Sequence, residues 1–208
     1  MSKSHTRKYI DNDFAALRQV TTGILDAFAK TVEIHDPYTT GHQHRVAQLA
    51  TAIGHELSLP YEQLEALQVA GNIHDIGKIN VPSVILNKPT QLSQSEFEVV
   101  KDHPKTAYNI LNGIEFPWPI AQIVLQHHEK RDGSGYPYGL TEKSILPEAK
   151  ILAVADVVEA MTYPRSYRKA KSIEEAMDFL SQKVDELYDP DIVVACQQVF
   201  VREKFRFI

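Results

Sequence analysis

The sequence predicts an all-α protein of about eight helices. Three observations point that way. Apolar residues recur at spacings of three and four along most of the chain. No stretch shows the strict apolar–polar alternation of a half-buried strand. The breaks between periodic stretches fall on proline or glycine, or on Ser-x-x-Glu pairs that suit helix starts, Ser93 with Glu96 and Ser172 with Glu175. There is no internal repeat and no low-complexity tract.

The first predicted helix carries Phe14, Leu17, Val20, Ile24, Phe28 and Val32 as one apolar stripe. That stripe needs a cover, whether the domain's own core (the first choice), a second subunit, or an upstream regulatory domain. Pro37 breaks the helix, and Thr39, Thr40 and Gly41 form a turn before the next one. The second helix starts near His42 and carries Val46, Leu49, Ala50, Ile53 and Leu57 on one side, until Pro60. The third leads to His74-Asp75, with Gly77 as a helix stop. Residues 81–86 read as a loop with a short apolar anchor. Ser93 opens a helix that His103-Pro104 ends while starting another, which Gly113 stops. Pro119 starts a helix that reaches His127-His128. Residues 131–139 hold three glycines and a proline and must be a loop. A helix from Pro147 has Asp156 embedded in an apolar run. Ser172 starts a helix to Leu187, and Asp189-Pro190 starts the last one, ending near Val199-Phe200.

With 208 residues, the chain can bury a substantial core. Its net charge of −5 argues against a protein built to coat polymeric nucleic acid, though not against a small anion held by local cations. No apolar run approaches the roughly 20 residues that span a bilayer. The N-terminus lacks the apolar core of a secretory signal. The one cysteine, Cys196, lies in an apolar run and reads as a buried thiol, which fits a cytoplasmic location.

Of the nine histidines, His42, His74, His103, His127 and His128 lie at predicted helix ends. Imidazole and carboxylate donors together suit Fe, Mn, Zn or Ni, with no thiolate to favour a structural zinc site. Taken singly, each reads equally as a cap or a core histidine; His5, His35, His44 and His55 keep that reading. Asp156 is costly to bury unless it is paired or bound to a metal.

Taken together, His42, His74-Asp75 with Lys78, His103, His127-His128 and Asp156 resemble the ligand pattern of the HD superfamily of metal-dependent phosphohydrolases. The loop from His127 through Gly135-Tyr136-Pro137 resembles the HD-GYP subgroup, as do Asp36-Pro37-Tyr38-Thr39, Val81-Pro82, Leu86-Asn87-Lys88-Pro89 and Arg165-Ser166-Tyr167-Arg168. The resemblance runs from about Val32 to Phe200. It implies an HD-domain helical bundle over 32–208 behind an N-terminal helical extension, 1–31. The implied activity is a phosphodiesterase cleaving cyclic di-GMP to pGpG with a metal-activated bridging water, a reaction that family members often carry onward to GMP.

By matching position, one metal would be held by His42, His74, Asp75 and Asp156. The second would be held by Asp75, His103, His127 and His128, with Asp75 bridging. Iron is the first choice, then manganese, with zinc and nickel also compatible. Lys78 would stabilise charge or protonate the leaving group. Arg165 and Arg168 would bind substrate, although as bare sequence they read as a solvated basic turn. Gly135, Tyr136 and Pro137 would shape the pocket wall and offer a surface to a GGDEF-type or other signalling protein. A homodimer through the N-terminal helix is a further expectation. Some family members hold a third metal through a glutamate one turn before the first histidine. Here that position is Tyr38, and Glu33 is out of register by five residues, so two metals are expected, and how far the second hydrolysis step goes stays open. Two other classes stay open: a catalytically weak cyclic-dinucleotide receptor, and an HD hydrolase of other nucleotides.

Overall fold

The structure is a computed structural model that describes residues 3–36, 39–164 and 169–207; for residues 3–15 and 18 it describes the backbone alone. Ten α-helices are present among the described residues: α1 Lys3–His35, α2 His42–Glu56, α3 Tyr61–Ile73, α4 Ser83–Leu86, α5 Gln94–Val100, α6 His103–Leu111, α7 Ile120–Gln126, α8 Pro147–Thr162, α9 Ile173–Gln182 and α10 Pro190–Arg202. Among those residues there is no strand, only isolated bridges at Asp132–Thr141 and Val184–Tyr188. The all-α expectation holds. The count rises partly because residues 83–86, read as a loop, form a single helical turn.

The bundle is built around α8. Ile151, Leu152, Val154, Ala155 and Val158 are buried, so little of this helix is left to solvent. Val46, Leu49, Ala50 and Ile53 of α2 pack with Leu67, Ala70 and Ile73 of α3, with Ile120, Ile123 and Val124 of α7, and with Val193, Cys196 and Val199 of α10. Removing this much aliphatic surface from water is the main stabilising term of the fold.

Two glycines set how closely the helices approach. A Cβ on Gly71 would lie 2.5 Å from the Ala47 Cα, so α3 touches the backbone of α2 there. A Cβ on Gly77 would lie 1.9 Å from the His103 carbonyl oxygen. The expected helix stop at Gly77 is therefore corrected. α3 already ends at Ile73, a 3-10 turn spans 76–80, and Gly77 is needed because α6 packs directly on that turn. The helix from Ser172 also ends early, at Gln182, because Asp185 takes a left-handed conformation (φ 64°) and its backbone pairs with Tyr188.

The expectation that the first stripe packs into the core fails over most of its length. Leu17, Val20, Ile24 and Phe28 are 62%, 58%, 50% and 42% exposed, whereas Val32 is 2% exposed. Only the C-terminal end of α1 meets the bundle, against α3 and the 76–80 turn. Phe14 is described by backbone alone.

Candidate metal and phosphodiester site

Five histidines and two aspartates meet at the floor of one cleft. Each comes from a helix end or from α8. His42 opens α2 behind Gly41, whose φ of 70° gives the turn its left-handed residue. His74 follows α3, His103 opens α6, and His127-His128 follow α7. Asp156 reaches in from the middle of α8. His42, His74, His103 and His127 are buried, and so is Asp75.

The donors fall into two triplets: His42, His74 and Asp75, and His103, His127 and His128. Within each, the ligand-type atoms lie within 4.8 Å of one another. Asp75 faces both. Its Oδ2 is 3.5 Å from His42 Nε2, and its Oδ1 is 3.4 Å from His103 Nε2. Asp156 Oδ1 lies 3.3 Å from His42 Nε2, and its Oδ2 is 4.0 Å from His128 Nδ1.

Hydrogen bonds decide which ring nitrogen faces inward. The Nδ1 atoms of His74, His103 and His127 meet the carbonyls of Gly71, Val100 and Val124 at 2.8, 2.8 and 2.5 Å. A carbonyl only accepts, so each Nδ1 carries the proton and each Nε2 presents a lone pair to the site. His74 Nε2 is buried with no hydrogen-bond partner. His103 Nε2 and His127 Nε2 face each other at 3.3 Å. Burial holds these two rings neutral, near 4 for His103 and 3 for His127, so the facing atoms are two lone pairs. Such an arrangement calls for a cation between them, and neutral imidazoles with carboxylates are suitable donors for a divalent metal.

The first triplet is the more anionic. Burial opposes charge on Asp75, but Lys78, then His74, His103 and His42, hold its carboxyl well below the usual range. Burial likewise opposes charge on Asp156, and His42 and the other rings overcome it. For His42, burial is outweighed by hydrogen bonds to Asp156 and Glu159, which raise it to about 9.

The cleft above this floor has a volume of about 590 Å³, within the usual range for small-molecule sites. Lys78, Lys88, Phe97, Lys130 and Tyr136 are among its walls. Lys78 Nζ is 2.6 Å from Asp75 Oδ2. Tyr136 lies against His128, ring centroids 4.6 Å apart. Of Gly135, Tyr136 and Pro137, Tyr136 alone lines the cleft. Gly135 and Pro137 stand beside it in the same loop. A Cβ on Gly135 would lie 2.5 Å from the backbone of 128–130, so that residue lets the loop close, and Pro137 follows a cis peptide bond in the same turn. Arg165, Arg168, Pro37 and Tyr38 lie outside the described residues. Glu33 accepts from the Gly41 backbone N–H at 2.6 Å, capping the turn before His42.

Several residues escaped the sequence reading. Glu129, 3% exposed, accepts from the backbone N–H groups of Tyr138 and Leu140 at 2.8 Å each, pinning the loop to the His127-His128 turn. Lys130 lines the cleft with its Nζ 4.5 Å from the Tyr188 ring centroid; burial lowers its pKa. Glu159 and Arg45 lie behind His42. Only the i+3 spacing of Glu159 from Asp156 signalled it in advance.

A profile described as HD domain matches residues 26–192. The chain is 37% identical over 173 residues to the cyclic di-GMP phosphodiesterase response regulator RpfG of Xanthomonas campestris, covering 82% of this chain and 46% of that one. It is 38% identical over 174 residues to a cyclic di-GMP phosphodiesterase of Thermotoga maritima, covering 83% and 47%. It therefore spans about half the length of these curated relatives. Among solved structures, a cyclic GMP-AMP specific phosphodiesterase of Vibrio cholerae matches with a TM-score of 0.66 at 16% identity, over 87% of this chain and 49% of that one, which shows a shared fold.

Proposed function

The chain belongs to the HD domain family, and from that premise we propose that it is a metal-dependent phosphodiesterase that cleaves cyclic di-GMP to pGpG. The carrying observation is the placement of Asp75, one oxygen toward each histidine triplet at the floor of the cleft. The names of the relatives support the substrate.

On this reading His42, His74, Asp75 and Asp156 hold one divalent cation and Asp75, His103, His127 and His128 hold the other, iron first and manganese second. When bound, such a pair supplies Lewis acidity toward water and toward the phosphodiester. The protein does the rest. The carbonyl-bound Nδ1 protons keep the Nε2 lone pairs aimed inward. Lys78, beside Asp75, stands where an ammonium can offset charge growing on the phosphate or protonate the leaving oxygen. Tyr136 braces His128, and Arg165 and Arg168 grip the substrate's phosphates or guanine edges.

Two partner proposals go with it. The stripe Leu17, Val20, Ile24 and Phe28 lies exposed on one side of α1 and would meet the same helix of a second copy. The loop around Tyr138, 62% exposed, would meet a GGDEF-type signalling protein. A cytoplasmic location follows from the nucleotide substrate.

The test is turnover. Protein prepared with Fe(II) or Mn(II) is given cyclic di-GMP and the products are resolved, with 3′3′-cyclic GMP-AMP and mononucleotides as comparison substrates. Conversion to pGpG that disappears in His74→Ala and Asp75→Ala supports the proposal. Binding without turnover under every metal would favour a receptor, and cleavage of mononucleotides alone would favour a different HD hydrolase.

A further inference from the structure

We infer that Glu159 is a positioning residue for the His42 side of the site, and that it makes the two cation positions unequal in affinity. The inference rests on the metal reading above and adds a residue to it.

His74, His103 and His127 each donate from Nδ1 to a carbonyl three residues back in their own chain segment. His42 is the first residue of α2, and its Nδ1 meets a side chain 117 positions away, Glu159 Oε2, at 2.5 Å. The other oxygen, Oε1, accepts from Arg45 Nε at 2.8 Å and lies 2.6 Å from Arg45 Nη2. Arg45 is held in turn: its guanidinium carbon sits 3.7 Å from the Tyr163 ring centroid, and its Nη1 donates to the Thr40 carbonyl at 3.1 Å. Glu159 is thus a carboxylate fixed at both oxygens, 2% exposed, with one edge committed to a histidine that faces the site.

A carboxylate behind an imidazole does two things that a carbonyl does less well. It locks the ring with Nε2 pointing inward, and its charge raises the basicity of that nitrogen toward a cation. His42 also shares its cation position with Asp75 and Asp156. The second triplet is all imidazole; Asp75 lies 3.4 Å from His103, and Asp156 stands farther off, 4.0 Å from His128. The bland alternative is an ion pair that merely ties α2 to α8. That role would lower thermal stability and leave metal affinity alone.

The test is Mn(II) binding to the whole chain by calorimetry, with elemental analysis after dialysis, for wild type, His42→Ala, Glu159→Gln and Glu159→Asp. Wild type is expected to bind two equivalents in two resolved steps, the tighter being the one missing in His42→Ala. Glu159→Gln keeps the shape and loses the charge, so it should weaken that same step by about 10–100-fold and leave the other within about twofold. Glu159→Asp restores the charge at shorter reach and should recover part of the loss; it also carries the test if Glu159→Gln does not fold. Two wild-type-like steps in Glu159→Gln with only a lower Tm would overturn the inference, as would equal weakening of both steps. Wild type that binds no Mn(II) or Fe(II) would instead sink the metal reading itself.

Discussion

The two histidine triplets present similar donors and are assembled by different means. His103, His127 and His128 come from helix ends close in sequence; two are fixed by carbonyls of their own segments, and the third lies under Tyr136. In the other triplet His74 is likewise fixed by a carbonyl of its own segment and Asp75 pairs with Lys78 three residues on, whereas His42 depends on a remote contact, tied to α8 through Glu159. The first group is all imidazole and locally held. The second contains a carboxylate and depends on packing at His42. The difference should appear in metal affinity, in tolerance of mutation and in pH dependence.

Asp75 is shared, so it should show the largest effect. Asp75→Ala is expected to abolish both metal-binding steps and, on the phosphodiesterase reading, to reduce turnover by about 1000-fold or more, since this carboxylate faces both cation positions. Retention of one full metal equivalent in this variant would break the bridging picture. Next come the single-triplet variants. His103→Ala and His42→Ala should each remove one metal equivalent, read by elemental analysis, and leave the other. If both variants lose both metals, the triplets are one site.

Tyr136→Ala should act on the second triplet alone. It leaves His128 unbraced and should weaken the corresponding metal step by about tenfold, the lower end for groups that orient a ligand. Tyr136→Phe keeps the ring and should stay near wild type, because the stacking contact needs no hydroxyl.

The pH dependence of the protein stripped of metal should be next in size and should separate His42 by sign from the other histidines of the site, His74 being lowered by burial like the second triplet. His103 and His127 are depressed in the folded state, so their contribution is full above the unfolded value of about 6.5 and fades as pH falls toward 4 and 3. His42 is raised to about 9, so its contribution is full below about 6.5 and is lost as pH climbs through 9. Chemical denaturation of the chelator-treated protein should therefore peak near pH 6.5. A curve flat from pH 5 to 9 would contradict both assignments. The smallest effects belong to α1. Val32→Ala should cost about 1.6 kcal/mol at about 0.8 per buried CH₂, whereas Ile24→Lys should change monomer stability by less than about 0.5 kcal/mol. Light scattering on the latter tests whether the stripe holds a second copy.

Much of this molecule was legible in the sequence, and for a physical reason. Helix starts and stops are local events, written in Ser93 with Glu96, in Ser172 with Glu175, in Pro104 and Pro190. Placing His42, His74, His103 and His127 at helix ends needed no more than that grammar, and their spacing was enough to recognise the HD pattern. Periodicity also marked the apolar face of α1, but it could not say whether anything covers that face.

The tertiary structure decided what depends on distance through space. Which Asp75 oxygen meets which triplet and the hold of Glu159 on His42 follow from how α2, α3, α6 and α8 lie against one another. Gly71 and Gly77 matter for the same reason: each marks a place where two backbones nearly touch, and a residue's own neighbours in the chain carry no record of what will press against it from elsewhere.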